Sequence, residues 1–246
     1  MERIDLNCDM GEGMGDDAAL MACISSANIA CGYHAGDEAL MEETVALALR
    51  HGVGIGAHPG FDDRANFGRT EMKLSDAEVY SLVLAQIRLL AAVCARLGAV
   101  LRHVKPHGAL YNMAARDPVL ARVVARAVLD AGPALVLYGL SGSYLVSEAR
   151  NLGLRTASEV FADRTYQDDG SLTSRKLPGA LIEDEDQALA QVLRMVREGT
   201  VVSVSGTVAP IAAETLCLHG DGAHAVAFAQ RIKGMLTHER IEIKIP

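Results

Sequence analysis

At 246 residues, half of them hydrophobic, the chain is long enough to bury one large core, and α/β barrels of about this length are ordinary. Its 31 acidic against 23 basic residues give a net charge of -8, which speaks against the counterion-driven attraction that dominates nucleic-acid binding. The opening MERIDLNCDMGE lacks an apolar signal core, and no stretch runs uninterrupted for the roughly 18 apolar residues of a membrane span, so the expectation is a cytoplasmic protein with no membrane partner.

Short apolar runs recur in chain order and read as buried parallel strands: 3–7 (RIDLN), 28–33 (NIACGY), 53–57 (VGIGA), 101–105 (LRHVK), 134–138 (ALVLY), 155–160 (RTASEV) and 215–219 (TLCLH). Helical stretches with clear punctuation separate them. Ser75-Asp-Ala-Glu78 is a capping box, Asp117-Pro118 supplies a cap and an N1 proline, and Gly52, Gly98, Gly132, Gly153 and Gly199 follow helical runs where a left-handed residue is wanted. Between residues 200 and 213 the alternation around Ser205-Gly206 predicts an extra hairpin. About seven βα units in one domain, 1–246, predict an α/β fold with a closed or nearly closed barrel. Five cysteines (Cys8, Cys23, Cys31, Cys94 and Cys217) form no C-x-x-C pair and are odd in number, which suits reduced thiols in the core.

In a βα barrel the residues just after each strand meet at one rim, where such folds place their sites. The groups at those positions are Asn7, Asp9 and Glu12, then His34 and Asp37, His58, and Lys105, His107 and Asn112. Later strands add Ser141 and Ser143, Glu159, Asp163 and Arg164, and finally His219 and Asp221. Within HVKPHGALYN, Pro106 stops regular pairing and Gly108 allows a sharp turn under a small ligand. His51, His103, His224 and His238 read instead as surface or satisfied core. Imidazoles beside carboxylates suit zinc or a related divalent ion, but no H-E-x-x-H is present, so the residues leave a metal open. Asp5-x-Asn7-x-Asp9 fails as a calcium loop because Met10 and Asp16 stand where Gly and Glu are required. There is no P-loop and no G-x-S-x-G elbow. The remaining inventory fits general acid/base hydrolysis of a small molecule, with charge stabilisation of an oxyanion.

Seven blocks, DLNCDMGEG (5–13), SANIACGYHAGD (26–37), GAHPGF (56–61), HVKPHGALYN (103–112), GLSGS (139–143), EVFADRTYQDDGSL (159–172) and CLHGD (217–221), together resemble the LamB/YcsF family from end to end. The resemblance implies a distorted (β/α)7 barrel similar to the glycoside hydrolase/deacetylase superfamily. Characterised members are A subunits of ATP-hydrolysing 5-oxoprolinase, so it also implies ATP-coupled opening of 5-oxo-L-proline (pyroglutamate) to L-glutamate with partner subunits B and C. ATP is then consumed by the complex, with phosphorylation assigned largely to the partners; whether this chain binds the nucleotide, or self-associates into a homo-oligomer, stays open. Carried over by position, Asp9 or Glu12 is the water-activating base, Lys105 and His107 polarise the oxygen under attack, and His34 and His58 orient water or leaving group. Arg164 is the expected clamp on the substrate carboxylate, held by Glu159 and Asp163, with Asn7, Asn112, His219 and Asp221 completing the binding site. Compared with the family pattern, the run Glu12-Gly-Met-Gly15-Asp-Asp is contracted and Asp62 replaces a common proline. Two alternatives are a metal-dependent amide or N-acetyl deacetylase and a non-catalytic lactam-binding regulator.

Overall fold

The computed structural model describes residues 2–13, 16–218 and 224–246. In chain order the elements are β1 (Arg3–Met10), α1 (Asp17–Met21), β2 (Ser26–Ala30), α2 (Glu38–His51), β3 (Gly54–His58), α3 (Asp76–Arg96), β4 (Leu101–Val104), α4 (Gly108–Arg116) and α5 (Pro118–Ala131). There follow β5 (Val136–Leu140), α6 (Tyr144–Asn151), β6 (Arg155–Phe161), α7 (Glu185–Glu198), β7 (Thr200–Val202), β8 (Val208–Pro210), β9 (Thr215–Leu218), α8 (Ala225–His238) and β10 (Glu242–Ile243).

Seven parallel strands close into a barrel in the order β1-β2-β3-β4-β5-β6-β9, with β9 pairing back onto β1. Strand β10 adds in parallel at Arg3 and Ile4 of β1, outside the ring. The pair β7-β8 forms a separate antiparallel hairpin around residues 203–207. The chain is thus α/β, a seven-stranded barrel wrapped by helices, as the spacing of the apolar runs predicts.

Local signals act as elementary chemistry requires. Ser75 and Glu78 complete the capping box of α3, and the Asp117 carboxylate accepts from Val119 and Leu120 at the start of α5, where Pro118 occupies N1. Gly52, Gly98, Gly153 and Gly199 take left-handed conformations, whereas Gly132 is extended, because α5 ends without a left-handed turn. Helix α3 has the length and apolarity to cross a membrane, but its buried face, including Val79, Val83, Ile87 and Leu90, packs against β3, β4 and α5.

Strand boundaries shift in an instructive way. Strand β1 runs on to Met10, so Asp9 lies within a strand rather than in the loop after it. Strand β2 begins at Ser26, two residues before its apolar run, because Ser26 and Asn28 point into the barrel and find polar partners there. Side chains alternate along a strand, and the outward set, such as Leu6, Ile29, Ile55 and Leu216, joins the helices in the apolar core. The inward set is polar. Instead of the branched aliphatic layers usual in such barrels, the interior stacks Asp5, Ser26, Tyr138 and Thr215 at the floor. Asn7, Asn28 and His103 lie in the middle, and Asp9, Lys105, Glu159 and Cys217 lie toward the mouth.

Candidate active site

The floor is a closed hydrogen-bonded set. The Asp5 carboxylate accepts from Ser25 and Ser26 through Oδ1 (2.7 Å each) and from Thr215 through Oδ2 (2.6 Å), and the Ser26 hydroxyl lies 3.2 Å from the Tyr138 hydroxyl across the barrel. Asn7 donates to the Thr215 hydroxyl and connects this floor to the layer above.

Lys105, one residue beyond β4 and only 3% exposed, dominates the next layer. Its Nζ lies 3.0 Å from Asp9 Oδ1, 2.9 Å from Glu159 Oε1, 3.2 Å from Asn7 Oδ1 and 3.1 Å from Cys217 Sγ. An ammonium has three protons to give, so four neighbours saturate it. The cation expected to polarise substrate oxygen thus faces two carboxylates, an amide oxygen and a thiol inside the barrel. Burial opposes its charge, but Asp9, Cys217 and Glu159 outweigh that and push its pKa well above the ordinary value. Burial and then the Glu159 charge drive the Tyr111 hydroxyl up, keeping it protonated beside this pair.

Four side chains converge above that layer. Ligating atoms of Glu12, His34, His58 and His107 all lie within 4.8 Å of one another. The loops that carry them are fixed from behind. The Arg64 guanidinium donates to the carbonyls of Gly32 and Gly36 (2.6 Å each) and anchors the His34 loop. Gln86, buried on α3, accepts from Gly60 N (3.0 Å) and donates to Gly60 O (2.7 Å), which pins the turn after His58. Gly108 starts α4 with φ +54, and a Cβ there would come within 2.6 Å of the Gly68 carbonyl, so the turn after His107 needs glycine. His34 and His107 stack with centroids 3.8 Å apart and planes within 4°, and Phe67 meets both edge-on.

Backbone carbonyls settle the proton positions. His58 Nδ1 is 2.7 Å from the Lys105 carbonyl and His107 Nε2 is 2.8 Å from the Phe67 carbonyl. A carbonyl only accepts, so both of those nitrogens carry hydrogen. The remaining nitrogens, His58 Nε2 and His107 Nδ1, then face each other at 2.9 Å. Two lone pairs cannot meet at that distance; one proton or one cation must lie between them. His58 takes the proton: burial opposes its charge, but Asp9, whose Oδ2 is 3.3 Å from Nε2, raises its pKa. His107 is held down to about 2 by burial and then by the His58 and His34 charges, and His34 to about 3 by burial and then His58. Asp9 stays well below the carboxylate range, because His58 and Lys105 overcome its desolvation. Glu12 goes the other way, to about 7, through burial and the Asp9 charge.

The same donor set fits a divalent cation. Metal-bound imidazoles characteristically donate their second nitrogen to a carbonyl or carboxylate, as His58 and His107 do here, and binding a metal displaces the proton that two such nitrogens otherwise share. Glu12, His34, His58 and His107 could therefore hold one ion.

Other residues expected at the site are placed differently. Arg164 is buried, and its guanidinium donates to the carbonyls of Thr173 (2.5 Å) and Ala180 (3.2 Å). Two of its five N–H donors thereby tie down the 165–181 loop, and the other three are what it has left for the carboxylate clamp expected of it. Asp163, half-buried, exerts its charge on Arg164 and its carbonyl accepts from Ile182. Glu159 turns to Lys105 rather than to Arg164. Asn112 is exposed on α4 and donates to the Gly108 carbonyl one turn back. Asn7 is inside the barrel. His219 and Asp221 lie outside the described residues. Asn28, His103, Gln86 and Cys217 belong to the site's framework although strand-end position alone does not single them out. The available signal was polar residues two apart, Ser26-x-Asn28 and His103-x-Lys105, where an apolar barrel interior is the norm.

The chain matches the LamB/YcsF family over residues 4–246. It is 56% identical over 249 residues to a protein from Shouchella clausii (strain KSM-K16) named as the A subunit of 5-oxoprolinase, covering 99% of this chain and 98% of that one. The crystal structure of a lactam utilization protein from Thermus thermophilus superposes with a TM-score of 0.93 at 43% identity, covering 98% of this chain and 99% of the other. A family 4 carbohydrate esterase from Streptomyces lividans shares the fold with a TM-score of 0.52 at 13% identity, over 99% and 92% of the two chains.

Proposed function

The chain belongs to the LamB/YcsF family, and from that membership and the geometry of the barrel mouth we propose that it is the A component of a cytoplasmic 5-oxoprolinase. In this reading it hydrolyses the ring amide of 5-oxo-L-proline to give L-glutamate, in an ATP-coupled reaction shared with partner subunits B and C. The observation that carries the reading is the convergence of Asp9, Glu12, His34, His58 and His107 over a buried lysine, in a relative of proteins named for 5-oxoprolinase and lactam utilization.

An unstrained five-membered lactam resists water, so phosphorylation of its oxygen, assigned to the partners, makes the carbon a better electrophile. Water then attacks that carbon, the carbon–nitrogen bond breaks with the ring nitrogen gaining a proton to leave as the amine, and the acyl phosphate that remains is hydrolysed by a second water to L-glutamate and inorganic phosphate. Glu12, with a pKa of about 7 and at the opening of the mouth, is suited to take the water's proton and return it to nitrogen. Protonated His58, held by ionised Asp9, is the donor for developing negative charge on oxygen. Neutral His34 and His107 orient the attacking water. Lys105 acts through Asp9, keeping it ionised. A divalent ion held by Glu12, His34, His58 and His107 would supply Lewis-acid polarisation of the carbonyl.

Reconstitution tests this reading. Purified chain, candidate B and C subunits, 5-oxoproline and ATP should yield glutamate, and omission of any one component should abolish it. The imidazole-carboxylate cluster favours one rival, a metal-dependent deacetylase. Chelator-sensitive turnover of an N-acetylated substrate by the chain alone, without ATP, would establish that rival. Binding of 5-oxoproline with no turnover in the full mixture would make the chain a lactam-binding regulator.

A further inference from the structure

We propose that Asn28, set in place by His103, is a positioning residue that makes Asp9 work through a single oxygen. Asn28 is fully buried on the inward face of β2. Its Nδ2 donates one hydrogen to Asn7 Oδ1 (2.8 Å) and the other to Asp9 Oδ1 (2.9 Å). Its own Oδ1 accepts from His103 Nε2 at 2.8 Å. Only one orientation of the amide satisfies this environment, since the reverse would set its oxygen against two acceptors and its NH2 against an N–H donor.

His103 can supply that donor from one place only. Its ring stacks on Tyr138, with centroids 4.3 Å apart and planes within 13°. On the opposite strand a register irregularity between Ile55 and Gly56 sets His103 against Gly56, where any Cβ would lie 2.1 Å from Nε2. Glycine at 56 is therefore the space that the ring fills. His103 Nδ1 has no hydrogen-bond partner, in keeping with a neutral ring that carries its proton on Nε2.

The effect is felt at Asp9. Oδ1 accepts from both Asn28 and Lys105 and is occupied, while Oδ2 faces His58 Nε2 at 3.3 Å. The carboxylate is presented to the mouth edge-first through Oδ2. A side-chain amide does not relay protons, so the column from Asp5 to Asp9 conducts nothing; its upper half is an aiming device.

The test rests on the functional reading above and uses the full chain reconstituted with its partners. The double variant Asn28→Leu/His103→Phe removes both members of the pair at similar shape, so neither is left unpaired, while Asn7 Oδ1 and Asp9 Oδ1 each lose one donor and keep Lys105. We expect kcat to fall about 10- to 100-fold, the range seen when groups behind a reacting side chain are lost, with KM little changed. Unchanged kcat in a folded double variant overturns the proposal. A second readout needs no turnover: the ring 15N resonances of His58 should move in the double variant, because Asp9 is released, and should stay in place in Asp5→Asn at the floor. If wild-type mixtures make no glutamate, the functional reading fails and the 15N comparison still decides this one, with unmoved His58 resonances overturning it. Should the double variant not fold, Gly56→Ala displaces the His103 ring without removing any polar group and is read by the same two measurements.

Discussion

Floor and mouth of this barrel are built on the same strands with the same two-residue alternation, yet their polar groups stand in opposite conditions. At the floor every acceptor has a donor: the two Asp5 oxygens receive three hydroxyl hydrogens, and Thr215 in turn receives one from Asn7. At the mouth acceptors outnumber protons. His58 Nε2, His107 Nδ1, Glu12 and Asp9 Oδ2 crowd together, and the protons that would pair them are on the far sides of the rings, bonded to backbone. A satisfied network is inert framework. A network short of protons holds a proton, a cation or a substrate, and that shortage separates chemistry from architecture here more sharply than residue type does.

The largest effect expected from breaking this contrast comes at the junction. Lys105→Met leaves Asp9 and Glu159 buried without their cation, and breaking a buried pair in this way costs about 3–5 kcal/mol; urea denaturation should show it, and an unchanged midpoint would remove Lys105 from the centre of the fold. Next, Asp9→Asn and Asp5→Asn form a matched pair, one carboxylate from each region. The first should lower turnover about 10²- to 10⁴-fold, the range for a positioned acid/base group, with modest loss of stability. The second should cost about 1–3 kcal/mol of stability for a disrupted buried hydrogen-bond set and leave kcat near wild type. A reversal of those two outcomes would exchange the roles of floor and mouth.

Acid sharpens the comparison further. Folding holds His34 and His103 near 3 and His107 near 2, against an ordinary imidazole value near 6.5. Below about 6.5 the unfolded chain takes up protons that the folded chain refuses. Stability is therefore full above that pH and declines on the way down, by up to about 1.4 kcal/mol per pH unit for each histidine. Glu12, near 7 when folded, binds a proton more tightly than in the unfolded chain and works in the opposite sense between about 4.5 and 7; the protonated His58 also opposes. Three imidazoles outweigh these, so the thermal midpoint should drop from pH 7 to pH 5, and His103→Phe should make the drop shallower. The smallest effect is expected at Asn112→Ala, whose amide bonds only within its own helix: stability within about 0.5 kcal/mol and unaltered kinetics. A raised KM there would return Asn112 to the binding site.

Much of the architecture is legible without coordinates, because it rests on local rules. Apolar runs separated by capped helices announce seven βα units, and Ser75, Glu78, Asp117 and Pro118 mark helix starts through bonds that span no more than three residues. The recurrence of polar groups after strands likewise leads to Asp9, Glu12, His34, His58, Lys105 and His107, which the fold brings to one mouth. Arg164 and Asn112 read the same way by position, but that each also bonds nearby backbone carbonyls is not legible there, since a strand-end position says nothing of where a side chain turns.

What the linear chain determines by itself is periodicity: which faces are apolar, where helices begin, and that a ring of strands can close. What only tertiary structure decides is the partner of each buried polar atom. Whether Lys105 reaches a substrate or four internal acceptors, and whether His103 is idle core or the prop behind Asn28, depends on contacts between residues 54 to 112 positions apart. Those contacts come from barrel closure, and a hydrogen bond's energy depends on sub-ångström distance and direction that no sequence spacing encodes.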